Sequence, residues 1–472
     1  MQLQNLLHFS FTFTKTCQMK KCTSPLFILI CFTIGLVACK PSTAPEPESV
    51  ESTSNIPDWI LQGNVYEVNV RQYTEEGTLN AFAKHIDRLK EMGVQTLWFM
   101  PINPISQLER KGSLGSYYAV ADYNAVNPEF GTIDDFKALV NTAHERDMKV
   151  IIDWVPNHTG ADHRWITEQP DFYVKDSSGK AAVAFDWADV RQLDYKNITM
   201  QDSMVNAMKW WITETGIDGF RVDVAWNVPA SFWEKCLPQI KGMGDKFMLA
   251  EGDSAYLAKS GFDAVYPWHM FKMMEKIAKG ERPAFGLDSI KAENDLMYLP
   301  NTIQMYFTSN HDENSWNNAD HGTFPGPVHA PFAVFTQTMA NSVPLVYSGQ
   351  EEPLARPLKF FDKDPIGFGK FERAKFYSTL QKLRLNNNAL ASTASFRKVS
   401  AGDSTAIYAY VREKNTNKVL VILNLSPKEQ TISIKDASLA GEPLNVFGGS
   451  KEAILNKEWK IEPWGYAVYE YK

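Results

Sequence analysis

Eight short apolar runs constrain this chain more than any other feature. They are Val65–Val70, Thr96–Met100, Val150–Val155, Gly219–Val224, Phe247–Ala250, Ala264–Tyr266, Ile303–Thr308 and Leu345–Tyr347. Strands that read as continuous apolar runs, rather than alternating ones, are those covered on both faces in parallel sheets. Helical patterns fall between many of them, at Asn80–Met92, Ile133–Met148, Met200–Thr215, Ala230–Ile240 and Val328–Ala340, and Phe371–Leu385 follows the last. The sixth unit has the least distinct pattern. Eight such units predict an α/β fold, a (β/α)8 TIM barrel over residues 56–388, with a doubly wound open sheet as the alternative.

One connection departs from this rhythm. Sixty residues separate His158 from Gly219, whereas a strand-to-helix loop needs only about 2–6 besides its helix. A short inserted domain after strand 3 is therefore expected at about 159–198, holding Trp165, Phe172, Tyr173, Phe185 and Trp187. Inserted at a strand's C-terminal end, it would sit beside the active face of a barrel. Beyond Asn388 the pattern changes to β-type runs at Ala406–Val411, Val419–Asn424, Thr431–Ile434 and Tyr466–Tyr471, with turn residues between them. Residues 389–472 are expected to form a C-terminal antiparallel β-sandwich domain.

Hydrophobic residues make up 44% of the chain and charged residues 22%, which excludes a wholly disordered or collagen-like protein. The formal charge of −7 argues against a nucleic-acid binder relying on phosphate neutralisation. The 13 Trp, 18 Tyr and 28 Phe fit either a large core or stacking surfaces for sugar rings.

The first 39 residues are expected to be an export signal. Lys20 and Lys21 precede the apolar run Pro25–Ala38, which ends in Leu36-Val37-Ala38-Cys39. The run is short for a bilayer span of about 20 residues, and its flanks are those of a secretory signal. The ending resembles a bacterial lipoprotein signal, implying lipidation of Cys39 and anchoring to a bacterial membrane, with the outer membrane expected. Translation from Met19 would fit as well as from Met1. Cleavage would remove Cys17, Cys22 and Cys31 and leave Cys39 and Cys236, so no disulfide framework is expected. Residues 40–55, rich in Pro, Ser, Thr and Glu, read as a disordered tether.

Four of the apolar runs end in polar groups that a core would not select. The third reads KVIIDWVPNH, and its period of two puts Asp153 and Asn157 on one face, with His158 just beyond. The fourth, GFRVDVAWN, places Arg221 and Asp223 together; the fifth ends at Glu251; the seventh ends in Asn310, His311 and Asp312. Converging in one bowl, these would bring carboxylates, an arginine and two histidines together. Salt-bridged strand ends are the purely structural alternative.

These stretches resemble the α-amylase family of glycoside hydrolases over roughly residues 57–472. The signatures are DWVPNH at 153–158, GFRVDVA at 219–225, MLAEGD at 248–253 and FTSNHD at 307–312, supported by GSYYAVADY at 115–123, QLDY at 192–195, VPLVYSGQE at 343–351 and PWGYAVYEY near the end. The resemblance implies Asp223 as nucleophile, Glu251 as general acid/base and Asp312 as third carboxylate. It implies that His158 and His311 hold hydroxyls of the reacting sugar while Tyr118 stacks beneath it. Arg221 is expected to keep Asp223 ionised, and Glu251 to be kept protonated by desolvation and nearby negative charge. No cofactor is needed for such chemistry.

There are departures from the family pattern. Trp226 and Asn227 stand where some starch-cleaving members have Lys-His, and Ser116 replaces the usual His before the stacking Tyr. Asn157 and Asp194 match two family calcium ligands, too few for a cation wanting about 6–8 oxygens, so structural calcium stays open. The implied function is retaining hydrolysis of α-1,4 bonds in maltooligosaccharides or starch-type glucans. A transglycosylase or trehalose-synthase-like isomerase is the alternative, and a non-catalytic sugar-binding barrel a third. The short insertion and Trp226 favour short maltooligosaccharides or chain ends.

Overall fold

A computed structural model describes residues 56–300 and 302–471. The export signal, Cys39 and the tether through Asn55 lie outside the described residues. Among the described residues no helix is long and apolar enough to cross a membrane.

The eight runs close into a parallel barrel: β1 Val65–Val68, β2 Thr96–Phe99, β3 Lys149–Trp154, β4 Gly219–Val222, β5 Phe247–Ala250, β6 Ala264–Val265, β7 Ile303–Tyr306 and β8 Ser342–Tyr347. Each strand pairs with its neighbours in sequence, and β1 closes the ring on β8 through Val65 opposite Leu345. Alternate residues divide between two apolar clusters. Val65, Trp98, Ile151, Leu249, Ala264, Met305 and Leu345 share one; Tyr66, Leu97, Val150, Phe220, Met248, Val265 and Val346 share the other with the surrounding helices. This is the period of two that a closed sheet imposes. Burial of each Val, Leu, Ile, Phe or Met side chain among them contributes about 1.5–3 kcal/mol. The parity that puts Val65, Ile151 and Leu249 in one cluster carries forward to Glu67, Asp153 and Glu251 at the C-terminal rim. Gly219 opens β4 with φ +151°, where a Cβ would lie 1.9 Å from the Phe247 carbonyl oxygen. The approach of β4 to β5 therefore requires glycine.

Several elements differ in detail from the sequence reading. β1 stops at Val68 because Asn69 turns the chain and caps a short helix, Val70–Tyr73, by accepting from the Gln72 amide. The helix expected over Asn80–Met92 is two, Leu79–Ala83 and Ile86–Met92, and His85 at the break packs edge-on against Tyr73. The indistinct sixth unit is a two-residue strand followed by two helices, Trp268–Ala278 and Gly286–Met297. The helix Ile133–His144 begins in a capping box between Thr132 and Asp135.

The insertion forms a three-stranded sheet in the order His158–Gly160, Trp187–Gln192, Val183–Ala184. His158 thus starts the insertion, paired with Gln192. The C-terminal part has a five-stranded antiparallel sheet built on Ile407–Lys414, Asn417–Asn424 and Tyr466–Tyr471, and a separate pair, Gln430–Ser433 with Glu458–Ile461. Ser395–Lys398, Leu444–Asn445 and Glu458–Ile461 escaped the sequence reading because they are short and carry little apolar pattern. Tyr408, Val419 and Val421 join Phe335 and Leu380 of the barrel helices in one core. Arg412, fully buried, donates to the carbonyls of Thr338 and Ala391, both at 2.7 Å.

Candidate active site

Arg221, at 0% exposure, organises the rim. Its Nη1 donates to Asp153 Oδ1 and to Asp223 Oδ1, each at 2.9 Å. Nη2 lies 3.2 Å from Glu251 Oε2, in ion-pair reach but without hydrogen-bond geometry. Nε donates to Tyr266 Oη at 3.1 Å. The guanidinium also sits 5.1 Å from the Trp98 ring centroid and 5.6 Å from that of Tyr266, which compensates a buried cation. Burial works against its charge, but Asp153 and Glu251 more than offset this and raise its pKa.

Immediately after Asp223 the backbone turns left-handed: Val224 has φ +45°, an uncommon and strained conformation for a β-branched residue. The turn directs the Val224 amide at Glu251 Oε2, 2.7 Å away. Gly252, at φ +149°, lets Trp226 pack close by, since a Cβ there would lie 3.2 Å from Trp226 Cβ.

Three carboxyls on one guanidinium cannot all ionise freely. Burial, and then the charge of Glu251, push Asp223 well above the usual carboxylate range despite Arg221. Burial pushes Asp153 up to about 6. The expectation that Arg221 keeps Asp223 ionised by lowering its pKa is not met, because desolvation and two neighbouring carboxyls outweigh one cation.

A second chain of contacts crosses the barrel. Glu67 Oε1 meets His311 Nδ1, and His311 Nε2 lies 2.8 Å from Tyr118 Oη and 3.3 Å from Asp312 Oδ2. Tyr118 Oη also donates to Asp153 Oδ2 at 3.1 Å. Burial disfavours a charged His311, but Asp312 and Glu67 together raise its pKa. Burial opposes ionisation of Asp312 as well, yet His311 and then Arg221 hold its pKa low. The His311 ring stacks on Tyr118 with centroids 5.4 Å apart. His158, by contrast, is pushed down to about 4 by burial and is neutral. Asn157 Nδ2 lies 3.1 Å from its Nδ1, which leaves the ring proton on Nε2.

Tyr118, His158, Asp223, Glu251, His311 and Asp312 line one cavity of about 490 Å³, together with Lys111, Asp189, Trp187, Trp226, Trp316 and Phe360. Asp312 is 37% exposed, Glu251 14% and Asp223 9%, so the set is graded from mouth to floor. Half-exposed aromatics flank it. Phe185 joins Trp187 to Trp226, at 4.7 and 5.9 Å, and Trp316 packs on Phe360 at 5.2 Å. All of Tyr118, His158, Arg221, Asp223, Glu251, His311 and Asp312 are thus brought together. Sequence reasoning missed Glu67, Tyr266, Phe360 and Trp316. A charge inside the apolar run VYEV was the available signal for Glu67; the loop aromatics gave none.

The two residues matched to calcium ligands do not make a cation site. Asn157 Oδ1 accepts from Gln192 Nε2 at 3.0 Å and from Asn227 Nδ2 at 2.8 Å. The Asn157 carbonyl accepts from Gln192 Nε2 at 2.9 Å, and Asp194 Oδ1 accepts from the Lys196 amide. Amide hydrogens occupy the lone pairs of Asn157 Oδ1 that a cation would need.

Residues 54–187 match the family described as "Alpha amylase, catalytic domain", and residues 407–465 the "Alpha-amylase SusG C-terminal domain". The chain is 24% identical over 398 residues to "Alpha-amylase MalA" of Haloarcula japonica, covering 80% of this chain and 57% of that protein. It is 33% identical over 205 residues to a trehalose synthase of Pimelobacter sp., covering 35% of each. The crystal structure of a noncanonic maltogenic alpha-amylase, AmyB from Thermotoga neapolitana, superposes with a TM-score of 0.79 at 26% identity, covering 87% of this chain and 99% of that one. Fold, rim chemistry and these matches define a (β/α)8-barrel enzyme of the glycosidase class. Residues 54–187 of that barrel are similar to the α-amylase catalytic domain.

Proposed function

We propose that the chain hydrolyses α-1,4-glucosidic bonds in maltooligosaccharides and starch-type glucans with retention of configuration. The observation that carries this reading is the pairing of Asp223 and Glu251 around Arg221, with Glu251 hydrogen-bonded to the amide directly after Asp223. Asp223 attacks the anomeric carbon as the glycosidic bond breaks, and Glu251 gives its proton to the leaving oxygen. Glu251 then takes a proton from water, which attacks the same carbon and releases Asp223. Asp312, His311 and the Nε2–H of His158 hold hydroxyls of the reacting ring. Such bonds accelerate the reaction insofar as they tighten in the oxocarbenium-like transition state. Tyr118 lies beneath that ring.

A second reading, transfer of the glycosyl group to a sugar hydroxyl, is favoured by the aromatic face Phe185–Trp187–Trp226, a surface suited to an incoming sugar. Product analysis on maltoheptaose, starch, pullulan and cyclodextrins separates the two. Shorter maltooligosaccharides with β-to-α mutarotation absent at first release support hydrolysis; longer products or a non-reducing disaccharide support transfer.

We further propose export and lipid anchoring through Cys39, supported by the Leu-Val-Ala-Cys ending of the apolar run. Cys39→Ser should move the enzyme from the membrane to the soluble fraction with unchanged specific activity. A soluble wild type starting at another residue would sink this idea.

A further inference from the structure

The loop between β2 and Tyr118 does more than cross the rim. On one side it is held to the insertion: Asp162 Oδ2 accepts from the amides of Gln107 and Leu108, at 2.8 and 3.0 Å, and Arg191 Nη2 lies 3.3 Å from Glu109 Oε1. On the other side it is held to the loop after β8. Asp362 Oδ1 accepts from the Ser113 amide and hydroxyl, at 2.8 and 2.6 Å, and the Leu114 amide donates to the Phe361 carbonyl at 2.9 Å. Where the loop meets the cavity, Lys111 Nζ pairs with Asp189 Oδ1 at 2.8 Å. Asp189 is 4% exposed, and Lys111 also lies 6.0 Å from the Phe361 ring centroid. Both partners line the same cavity as Tyr118, Asp223 and Glu251.

The direction of the substrate follows from the acid. Glu251 protonates the leaving oxygen, so the leaving group lies over the ends of β4 and β5, beside Trp226. Sugars on the other side of the reacting ring would extend away from β5, and in the closed ring the strands farthest from β5 are β1 and its neighbours β2 and β8. That is where the doubly anchored loop stands. The cavity, about 490 Å³, is in the lower half of the usual small-ligand range of about 300–1,000 Å³.

We infer that the Lys111–Asp189 ion pair is a stop on the non-reducing side of the cavity, admitting one glucosyl unit there, so that the enzyme releases glucose from non-reducing ends. This rests on the hydrolase reading above and adds its mode of attack. A pair anchored by two loops resists displacement. Lys111 is 37% exposed and Asp189 only 4%, so a second sugar that displaced the lysine would leave the Asp189 carboxylate buried without its cation.

The test uses maltopentaose labelled at its reducing end, followed at early conversion, with an aryl α-glucoside as a one-sugar control. Wild type should first release unlabelled glucose and labelled maltotetraose. The double variant Lys111→Ala/Asp189→Asn should raise maltose release relative to glucose release by at least about tenfold, or about 1.4 kcal/mol. Lys111→Arg, which keeps the pair, should retain the wild-type ratio; if the double variant fails to fold, Lys111→Gln replaces it with the same expectation. Maltose or a longer sugar as the first unlabelled product of wild type would overturn the inference. So would an unchanged ratio in a folded variant that still cleaves the aryl glucoside. Absence of wild-type turnover on both substrates would instead remove the hydrolase reading itself.

Discussion

The amide of Val224 donates to Glu251 Oε2 across 2.7 Å, fastening the carboxyl at the end of one strand to the residue after the carboxyl at the end of the next. The left-handed turn at Val224 makes this possible. Asp223 and Glu251 are therefore held against each other by main chain as well as by Arg221, and neither needs substrate to find its place. Preorganisation of this kind limits reorganisation at the moment of reaction.

Asp223→Asn should abolish nearly all turnover on maltooligosaccharides, because the amide cannot form the glycosyl ester. Glu251→Gln should cost about 10²–10⁴-fold, with much of the loss restored on substrates whose leaving group needs no proton. Both changes nearly conserve volume, so melting temperatures should stay close to wild type. Near-native turnover in either purified variant would dismiss the assignment.

The pH profile should carry the signature of the crowded carboxyls. Asp223 must be ionised to attack, and burial with the charges of Glu251 and Asp153 raises its pKa. Activity should therefore fall as pH drops through a limb lying above the usual carboxylate range. Asp153→Asn removes one negative neighbour and should move that limb of kcat/KM to lower pH. A limb that stays in place, or moves upward, would contradict the electrostatic account.

Chelation should leave the enzyme intact. The Asn157 oxygens are already bonded by the amides of Gln192 and Asn227. Excess EDTA should therefore not change the melting temperature or the activity. A drop of several degrees reversed by calcium alone would show that these amides yield to a cation.

Trp226 is 48% exposed and contacts Phe185, so it is not a core residue and is free to meet a sugar on the leaving side. Trp226→Ala should lower kcat/KM for maltopentaose about threefold to tenfold more than for an activated glucoside with no sugar on the leaving side, given about 0.5–1.5 kcal/mol for an aromatic contact. An equal loss on both substrates, together with a lowered melting temperature, would place Trp226 in the fold instead. Rapid loss of starch viscosity with little reducing sugar released would show internal cleavage, against the preference for short chains and chain ends.

The barrel was legible in the sequence because both of its determinants are local. Continuous apolar runs mark strands covered on both sides, and the period of two puts Asp153 with Asn157, and Arg221 with Asp223, on one face of their own strands before any contact is known. The order of the four rim motifs then placed the carboxyls in one bowl. Helix breaks were less legible: Asn80–Met92 has an unbroken helical pattern, yet the structure breaks it at Lys84 and His85, where His85 packs on Tyr73. What the tertiary structure decided depends on loops meeting across the ring. Glu67 and His311 are 244 positions apart, and nothing in either neighbourhood names the other. Lys111 belongs to the loop after β2 and Asp189 to the insertion after β3, and they form a pair only because these two segments meet at the cavity. The ionisation of Asp223 belongs to the same category. From sequence, Arg221 two residues away predicts a lowered pKa, whereas the folded site adds burial, Glu251 and Asp153, and their sum reverses the sign.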